Sequence, residues 1–274
     1  MQLGIFAKTF PGSDPTLVLA AARDAGYACV QFNMACAGLP AMPGAVDAAT
    51  RRAIAAAVDT TGVSIAALSA TWNMIHPDSA VRADGMRRLA VALDVARDLS
   101  IPLVTLCTGT RDPDDQWRHH PDNSRPEAWA DLVTEMGKAV ALAEAAGVDL
   151  GIEPEQANVV TDADAALRLL RKIGSPRLRI VLDPANLFEQ ADRDTARAIV
   201  AAAVDKLGPH VSMAHAKDRD AAGRFVTAGH GVVDFADLFA RLRDAGFDGP
   251  VVTHGLEAAE APAVARFLAE RLTP

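Results

Sequence analysis

GIEPE at 151–155, RIVLDPAN at 179–186, VSMAHAKD at 211–218 and PVVTHG at 250–255 are built alike. Each is a short apolar run that stops on side chains of the kind that bind metal ions: Glu153 and Glu155, Asp183, His215 and His254. Short apolar runs bounded by Gly and Pro read as buried strands. A carboxylate where such a strand ends is costly to bury unless it is paired or metal-bound. The four runs lie far apart in the chain, so no single turn or helix face gathers them. A closed parallel barrel does, because all its strands end on one face and their end residues converge there.

Working outward, strand-like runs alternate with helical patterns from end to end. Strands are expected at 2–9, 29–33, 64–70, 103–107, 149–153, 179–183, 211–215 and 251–254. Helices are expected at about 14–26, 47–61, 79–99, 126–146, 162–173, 194–207, 235–245 and after Pro262. Gly and Pro punctuate their ends, as helix starts and stops require. Eight alternating units at spacings of roughly 30–40 residues imply a parallel sheet. The expected fold class is α/β: a closed (β/α)8 barrel, one domain over residues 1–274. A doubly wound open sheet is the alternative, but no GxGxxG follows the first strand. No linker, charge block or low-complexity tract marks a second domain.

A chain of 274 residues suits one such barrel. Half of it is hydrophobic, ample for a large core. The net charge of −8 argues against a nucleic-acid partner, whose footprint is normally basic. Cys29, Cys36 and Cys107 are odd in number and unpaired in spacing, so they read as reduced packing residues. The first residues, MQLGIFAKTF, lack a secretory pattern, and no apolar stretch is long enough to span a membrane. A cytoplasmic protein without a membrane partner is the expectation.

Two carboxylates with one or two imidazoles suit Mn, Co, Zn or Fe better than Mg or Ca, which prefer all-oxygen ligands. One such divalent ion is the expected cofactor. The other polar strand ends would line a substrate site: Asn33, Trp72, Asn73, His76, Arg111, Glu155, Asn158, Asn186, Lys217 and Arg219. Trp and Asn beside ionic groups suit a polyol. The segment QWRHHPDN, with His119 and His120, reads as a loop over the mouth or a subunit contact.

Glu, then Asp-Pro-x-Asn, then His-x-Lys-Asp, then a strand ending before Gly-x-Glu: this order resembles the xylose isomerase-like TIM barrel superfamily, and within it the sugar phosphate isomerase/epimerase branch. The resemblance extends over NMIHPD at 73–78, CTGTRDP at 107–113, HPDN at 120–123, GIEPEQANVV at 151–160, VLDPANL at 181–187 and GHGVVDF at 229–235. It implies that Glu153, Asp183 and His215 match three of the family's four metal ligands. The fourth position, normally Glu, is His254 here, and Asn186 stands where a His often follows the sixth-strand Asp. Homodimers or homotetramers are common in the superfamily and are the expectation for this chain.

The family's ketose epimerases are expected to use their first and last glutamates as opposed bases. With only Glu153 kept, Lys217 and His254 become further candidates for catalysis, and Glu257 or Glu155 for a substitute base. The resulting expectation is an isomerase or epimerase acting on a sugar, keto-sugar or inositol-type polyol. Two alternatives stay open: a lyase or dehydratase of a 3-keto-glycoside or inosose, and a non-catalytic sugar-binding subunit. A nuclease branch of the superfamily needs extra histidines that are not at matching places here.

Overall fold

In the computed structural model, which describes residues 1–273, eight parallel strands close in the order β1-β10-β7-β6-β5-β4-β3-β2. The barrel strands are β1 (Gln2–Phe6), β2 (Cys29–Phe32), β3 (Ser64–Ser69), β4 (Leu103–Leu106), β5 (Asp149–Ile152), β6 (Leu178–Leu182), β7 (Val211–Ala216) and β10 (Pro250–Thr253). Eight helices surround them: α1 (Pro15–Asp24), α2 (Ala48–Thr61), α3 (Ser79–Asp98), α4 (Pro126–Ala146), α5 (Ala163–Ile173), α6 (Arg193–Leu207), α7 (Phe235–Asp244) and α8 (Ala261–Leu272). The sequence reading therefore holds for the barrel, with two corrections. The first strand stops at Phe6, and residues Ala7–Thr9 turn into a 3-10 helix. A small antiparallel hairpin, β8 (Asp218–Arg219) with β9 (Phe225–Val226), follows β7 and carries no apolar alternation that would announce it.

Local chemistry explains the regularity. Six of the helices start on an aspartate (Asp14, Asp47, Asp78, Asp162, Asp192 and Asp234) whose side chain accepts backbone N–H bonds of the first turn. Helices α2, α4 and α5 stop at Gly62, Gly147 and Gly174, each in the left-handed conformation that glycine adopts most easily. Pro126 opens α4, where a missing N–H costs nothing.

Inside the barrel, Ala67, Leu103, Val181, Met213 and Val252 form a separate apolar plug. Gly151 makes room for it: a Cβ there would lie 2.7 Å from Val181 Cγ2 and 3.2 Å from Leu103 Cδ1. The plug fills the middle of the barrel and leaves the C-terminal strand ends to polar groups. Among the described residues no helix is long and apolar enough to cross a membrane.

Candidate metal centre and its cavity

Strands β5, β6 and β10 end at Ile152, Leu182 and Thr253, so Glu153, Asp183 and His254 are each the first residue beyond a strand. His215 is the next-to-last residue of β7. Barrel closure brings them together: Glu153, His215 and His254 line a cavity of about 390 Å³ with Phe6, Gln31, Asn33, Glu155, Asn186 and Lys217, and Asp183 is fully buried beside them.

Asp183 Oδ2 is the focus. It lies 3.2 Å from His254 Nε2, 3.4 Å from His215 Nδ1 and 3.9 Å from Lys217 Nζ. The other oxygen, Oδ1, accepts the Ala185 N–H at 2.9 Å, which fixes the carboxylate. One ligand atom each from Asp183, His215 and His254 lies within 4.8 Å of the other two. Glu153 stands beside this triad: its Oε2 is 3.4 Å from His215 Nδ1, and its Oε1 accepts from Asn186 Nδ2. Asn186 Oδ1 in turn accepts from Lys217 Nζ at 3.0 Å.

The donor set fits a divalent cation. His215 is buried, and its Nδ1 has no hydrogen-bond partner although two carboxylate oxygens face it. Its Nε2 is taken up by Gln31 Oε1 at 2.9 Å. A ring nitrogen lone pair aimed at two carboxylates is repulsive unless a cation, proton or metal ion, lies between them. Asp183, His215 and His254 would hold the metal, with Glu153 adjacent. Imidazole and carboxylate together suit a first-row transition ion.

The electrostatics follow from crowding. Burial disfavours a charge on Asp183, but Lys217 and the imidazoles of His215 and His254 beside it outweigh that and hold the carboxyl well below its usual range. Burial pulls His215 down, but Glu153 and Asp183 win and raise it to about 9. His254 is lowered, by burial and by its neighbour His215, against the pull of Asp183. Glu155 is pushed up to about 8 by burial and by the negative charges of Glu153 and Asp183, with Lys217 opposing.

Several residues expected from the sequence to touch substrate are placed elsewhere. Asn73 spends its amide on Asp112 O and the Thr110 N–H. His76 bonds Pro113 O and the Asp78 N–H, and Arg111 bonds Ile75 O and Asp131. Asn158 is fully buried and accepts the Gly109 N–H. These four tie loops together behind the cavity wall, which is why their polarity looked functional. Trp72 packs against Gly85 of α3. Glu257 is exposed and caps a 3-10 turn, outside the cavity. Arg219 lies over the Phe225 ring, its Nη1 donating to Glu189 O. His120 caps a 3-10 turn, and His119 lines a different cleft.

Other cavity residues escaped the sequence reading. Gln31 is an amide in the otherwise apolar strand CVQF, and its burial is the signal that could have found it. Trp117 and Phe225, half exposed at 50% and 51%, stand at the rim from the loops after β4 and β7. Lys217 Nζ sits 3.7 Å from the centre of the Phe225 ring. The loop after β4 is pinned internally by Asp112, which accepts the Asp114 and Asp115 N–H groups and pairs with Arg118.

Fold and site together define a (β/α)8 barrel with a metal-type ligand cluster at the C-terminal ends of its strands. Residues 19–271 match the family described as xylose isomerase-like TIM barrel, and the chain belongs to that family. It is 28% identical to an L-ribulose-5-phosphate 3-epimerase, UlaE, of Salmonella paratyphi C, over 96% of this chain and 90% of that protein. Its fold is similar to that of 3-keto-D-glucoside 4-epimerase, YcjR, from E. coli, with a TM-score of 0.78 at 14% identity over 98% of this chain and 99% of that one. A D-psicose 3-epimerase from Clostridium cellulolyticum H10 superposes with a TM-score of 0.75 at 15% identity, covering 99% of both chains.

Proposed function

We propose that this protein is a metal-dependent sugar isomerase or epimerase that moves a proton at a carbon next to a carbonyl. The observation that carries the reading is the convergence of Asp183, His215 and His254, with Glu153 beside them, at a cavity that Glu153, His215 and His254 line. The three relatives named above are sugar epimerases by name, which points the same way. A bound divalent ion of the Mn, Co, Zn or Fe type would act as a Lewis acid toward the carbonyl and its neighbouring hydroxyl.

The chain's own groups do the proton work. Glu153 is the base: Asn186 holds one of its oxygens and leaves the other facing the centre. Lys217, tethered to Asn186, supplies positive charge where an oxyanion would develop. Epimerisation needs a second proton carrier on the opposite face of the substrate carbon. Glu155 lines the cavity and, pushed up to about 8, keeps a proton near neutrality. Glu257 is set aside because it lies outside the cavity. Trp117 and Phe225 offer apolar surface at the rim for the C–H faces of a sugar.

His254 at the fourth position favours a second reading. A neutral imidazole, its pKa lowered by burial and by His215, stands where the resemblance places a second carboxylate base. One-base chemistry, a 1,2-shift or elimination beside a ketone, then becomes the alternative outcome.

Metal-loaded protein in D2O, followed by NMR, separates these. L-ribulose 5-phosphate, free ketoses and a 3-keto-glucoside are the substrates to screen. Epimer carrying solvent deuterium supports epimerisation; loss of the leaving group supports the lyase. No deuterium uptake in any of them, with metal bound, counts against both and leaves a sugar-binding subunit.

A further inference from the structure

We infer that Gln31 is the positioning residue that selects the metal-binding tautomer of His215. The inference rests on the metal reading above and concerns a residue on the far side of the barrel from the ligand it serves.

Gln31 sits in β2, His215 in β7, and the two strands are separated in the ring by β1 and β10. Their side chains meet across the barrel interior, Gln31 Oε1 to His215 Nε2 at 2.9 Å. The amide nitrogen of Gln31 donates to Ser69 Oγ at 2.9 Å and to Thr105 Oγ1 at 3.2 Å, on the next two strands. Both amide hydrogens are thus used, and the oxygen faces the histidine. Gln31, Ser69, Thr105 and His215 are all buried. A buried amide with every hydrogen engaged has little left to offer a substrate.

The consequence for His215 is chemical. An amide oxygen only accepts, so the Nε2 that meets it carries the proton. The lone pair is then on Nδ1, the atom that faces Glu153 Oε2 and Asp183 Oδ2. With the amide turned over, Nε2 would have to accept, the proton would move to Nδ1, and ligation through Nδ1 would be blocked. Groups that hold the second nitrogen of a ligating histidine fix its tautomer and orientation, and losing one costs about 10–100-fold in metal affinity. The bland alternative is that Gln31 only satisfies buried hydroxyls. That role would not move the tautomer.

The test uses Zn²⁺ as probe on the full chain. Zn²⁺ affinity is measured by chelator competition, and the His215 ring nitrogens are read by NMR on ¹⁵N-histidine protein. Wild type is expected to show Nε2–H with Nδ1 ligated. Gln31→Leu, which removes the acceptor, should weaken Zn²⁺ binding about 10–100-fold. Gln31→Glu keeps an acceptor, toward which the Ser69 and Thr105 hydroxyls can turn as donors, and should stay within a few-fold of wild type. If Gln31→Leu does not fold, Ser69→Ala with Thr105→Val frees the amide to turn over and should give mixed tautomers with a smaller loss. Unchanged Zn²⁺ affinity in folded Gln31→Leu, or ligation through Nε2 in wild type, overturns the inference. Wild type that binds no Zn²⁺ overturns the metal reading as well.

Discussion

His254 Nε2 and Asp183 Oδ2 lie 3.2 Å apart, and Asp183 is fully buried. One of two things follows: the pair hydrogen-bonds directly, or both atoms coordinate the same ion. The two differ in what His254→Ala does. If His254 is a ligand, metal content by elemental analysis should fall from about one ion per chain to a small fraction, a loss at least as large as the roughly 10–100-fold that follows removal of a supporting residue. Metal retained in full would take His254 out of the coordination set and make it a candidate base.

His215 gives metal loading a pH dependence of known sign. Its metal-free pKa is raised to about 9, because Glu153 and Asp183 outweigh burial. A metal ion can take Nδ1 only when that proton leaves. Apparent affinity should therefore rise about tenfold per pH unit up to about pH 9 and then level off. Calorimetric titrations in buffers of different ionisation enthalpy should count close to one proton released per ion bound at pH 7. The metal-free protein should behave inversely. A raised imidazole contributes stability that is complete below its ordinary value near 6.5 and is lost as pH climbs through 9. Its melting temperature should fall over that window, and added Zn²⁺ should flatten the dependence.

Asp218 predicts a large stability effect next to the site. This fully buried carboxylate accepts four backbone N–H groups, from Arg219, Gly229, Gly231 and Val233, at 2.9–3.0 Å. It thereby closes the loop that carries the β8–β9 hairpin and Phe225. Asp218→Ala would strand several of those donors, at about 1–3 kcal/mol for each one left buried and unpaired. Gly231→Ala should also destabilise, since a Cβ there would lie 2.2 Å from Asp218 Oδ1 and 2.3 Å from Arg219 O. Urea unfolding should place both midpoints below wild type, with Asp218→Ala the lower by at least the equivalent of one lost donor.

The fold was legible because most units repeat some of the same cues: apolar strand, Asp cap, amphipathic helix, Gly stop. The positions of the candidate ligands were legible for a related reason. Glu153, Asp183 and His254 are each the first residue beyond a strand, and a barrel sends all such residues to one face. Polarity at loops misled where it was structural. Asn73, His76, Arg111 and Asn158 sit in polar loops after strands, but their side chains are taken up by backbone groups of neighbouring loops and, for Arg111, also by Asp131 of α4. Nothing in their local sequence separates a loop staple from a substrate contact. Gln31 and Phe225 were missed for opposite reasons. Gln31 lies inside a strand whose lumen-facing side cannot be told from its helix-facing side by apolar content, since both are buried. Phe225 belongs to a hairpin too short to leave a pattern.

Asn186 links the proposed base to the proposed oxyanion partner, accepting from Lys217 and donating to Glu153. Glu153→Gln should lower turnover about 10²–10⁴-fold, the usual loss for a general base. Asn186→Ala should lower kcat less than Glu153→Gln, because it frees the carboxylate without removing it. Lys217→Met should lower kcat as well. Combined with Asn186→Ala, it should fall short of the product of the two single losses, since both act through one network. Steady-state rates on whichever ketose takes up deuterium would check this; full multiplicativity would mean that the Asn186 bridge does not couple the two.

The thiols give a prediction that needs no substrate. Cys29 is buried behind Gly4, whose added Cβ would lie 2.6 Å from its Sγ, and burial pushes its pKa up to about 12. Cys107 is likewise raised to about 12, by burial and then by the charges of Glu155 and Glu153, although it lines the cavity. Thiolate is the reactive form, so at pH 8 both should resist an aromatic disulfide reagent in the folded protein and react promptly once it is unfolded. The sign for stability follows from the same shift. Folding keeps these thiols protonated, so the unfolded state releases protons first, and stability should decline from about pH 9 toward 12. Cys29→Ala with Cys107→Ala should shallow that decline relative to wild type. Prompt reaction of Cys107 at pH 8 would mean that the floor of the cavity opens to reagent, and that Glu155 beside it is open to water as well.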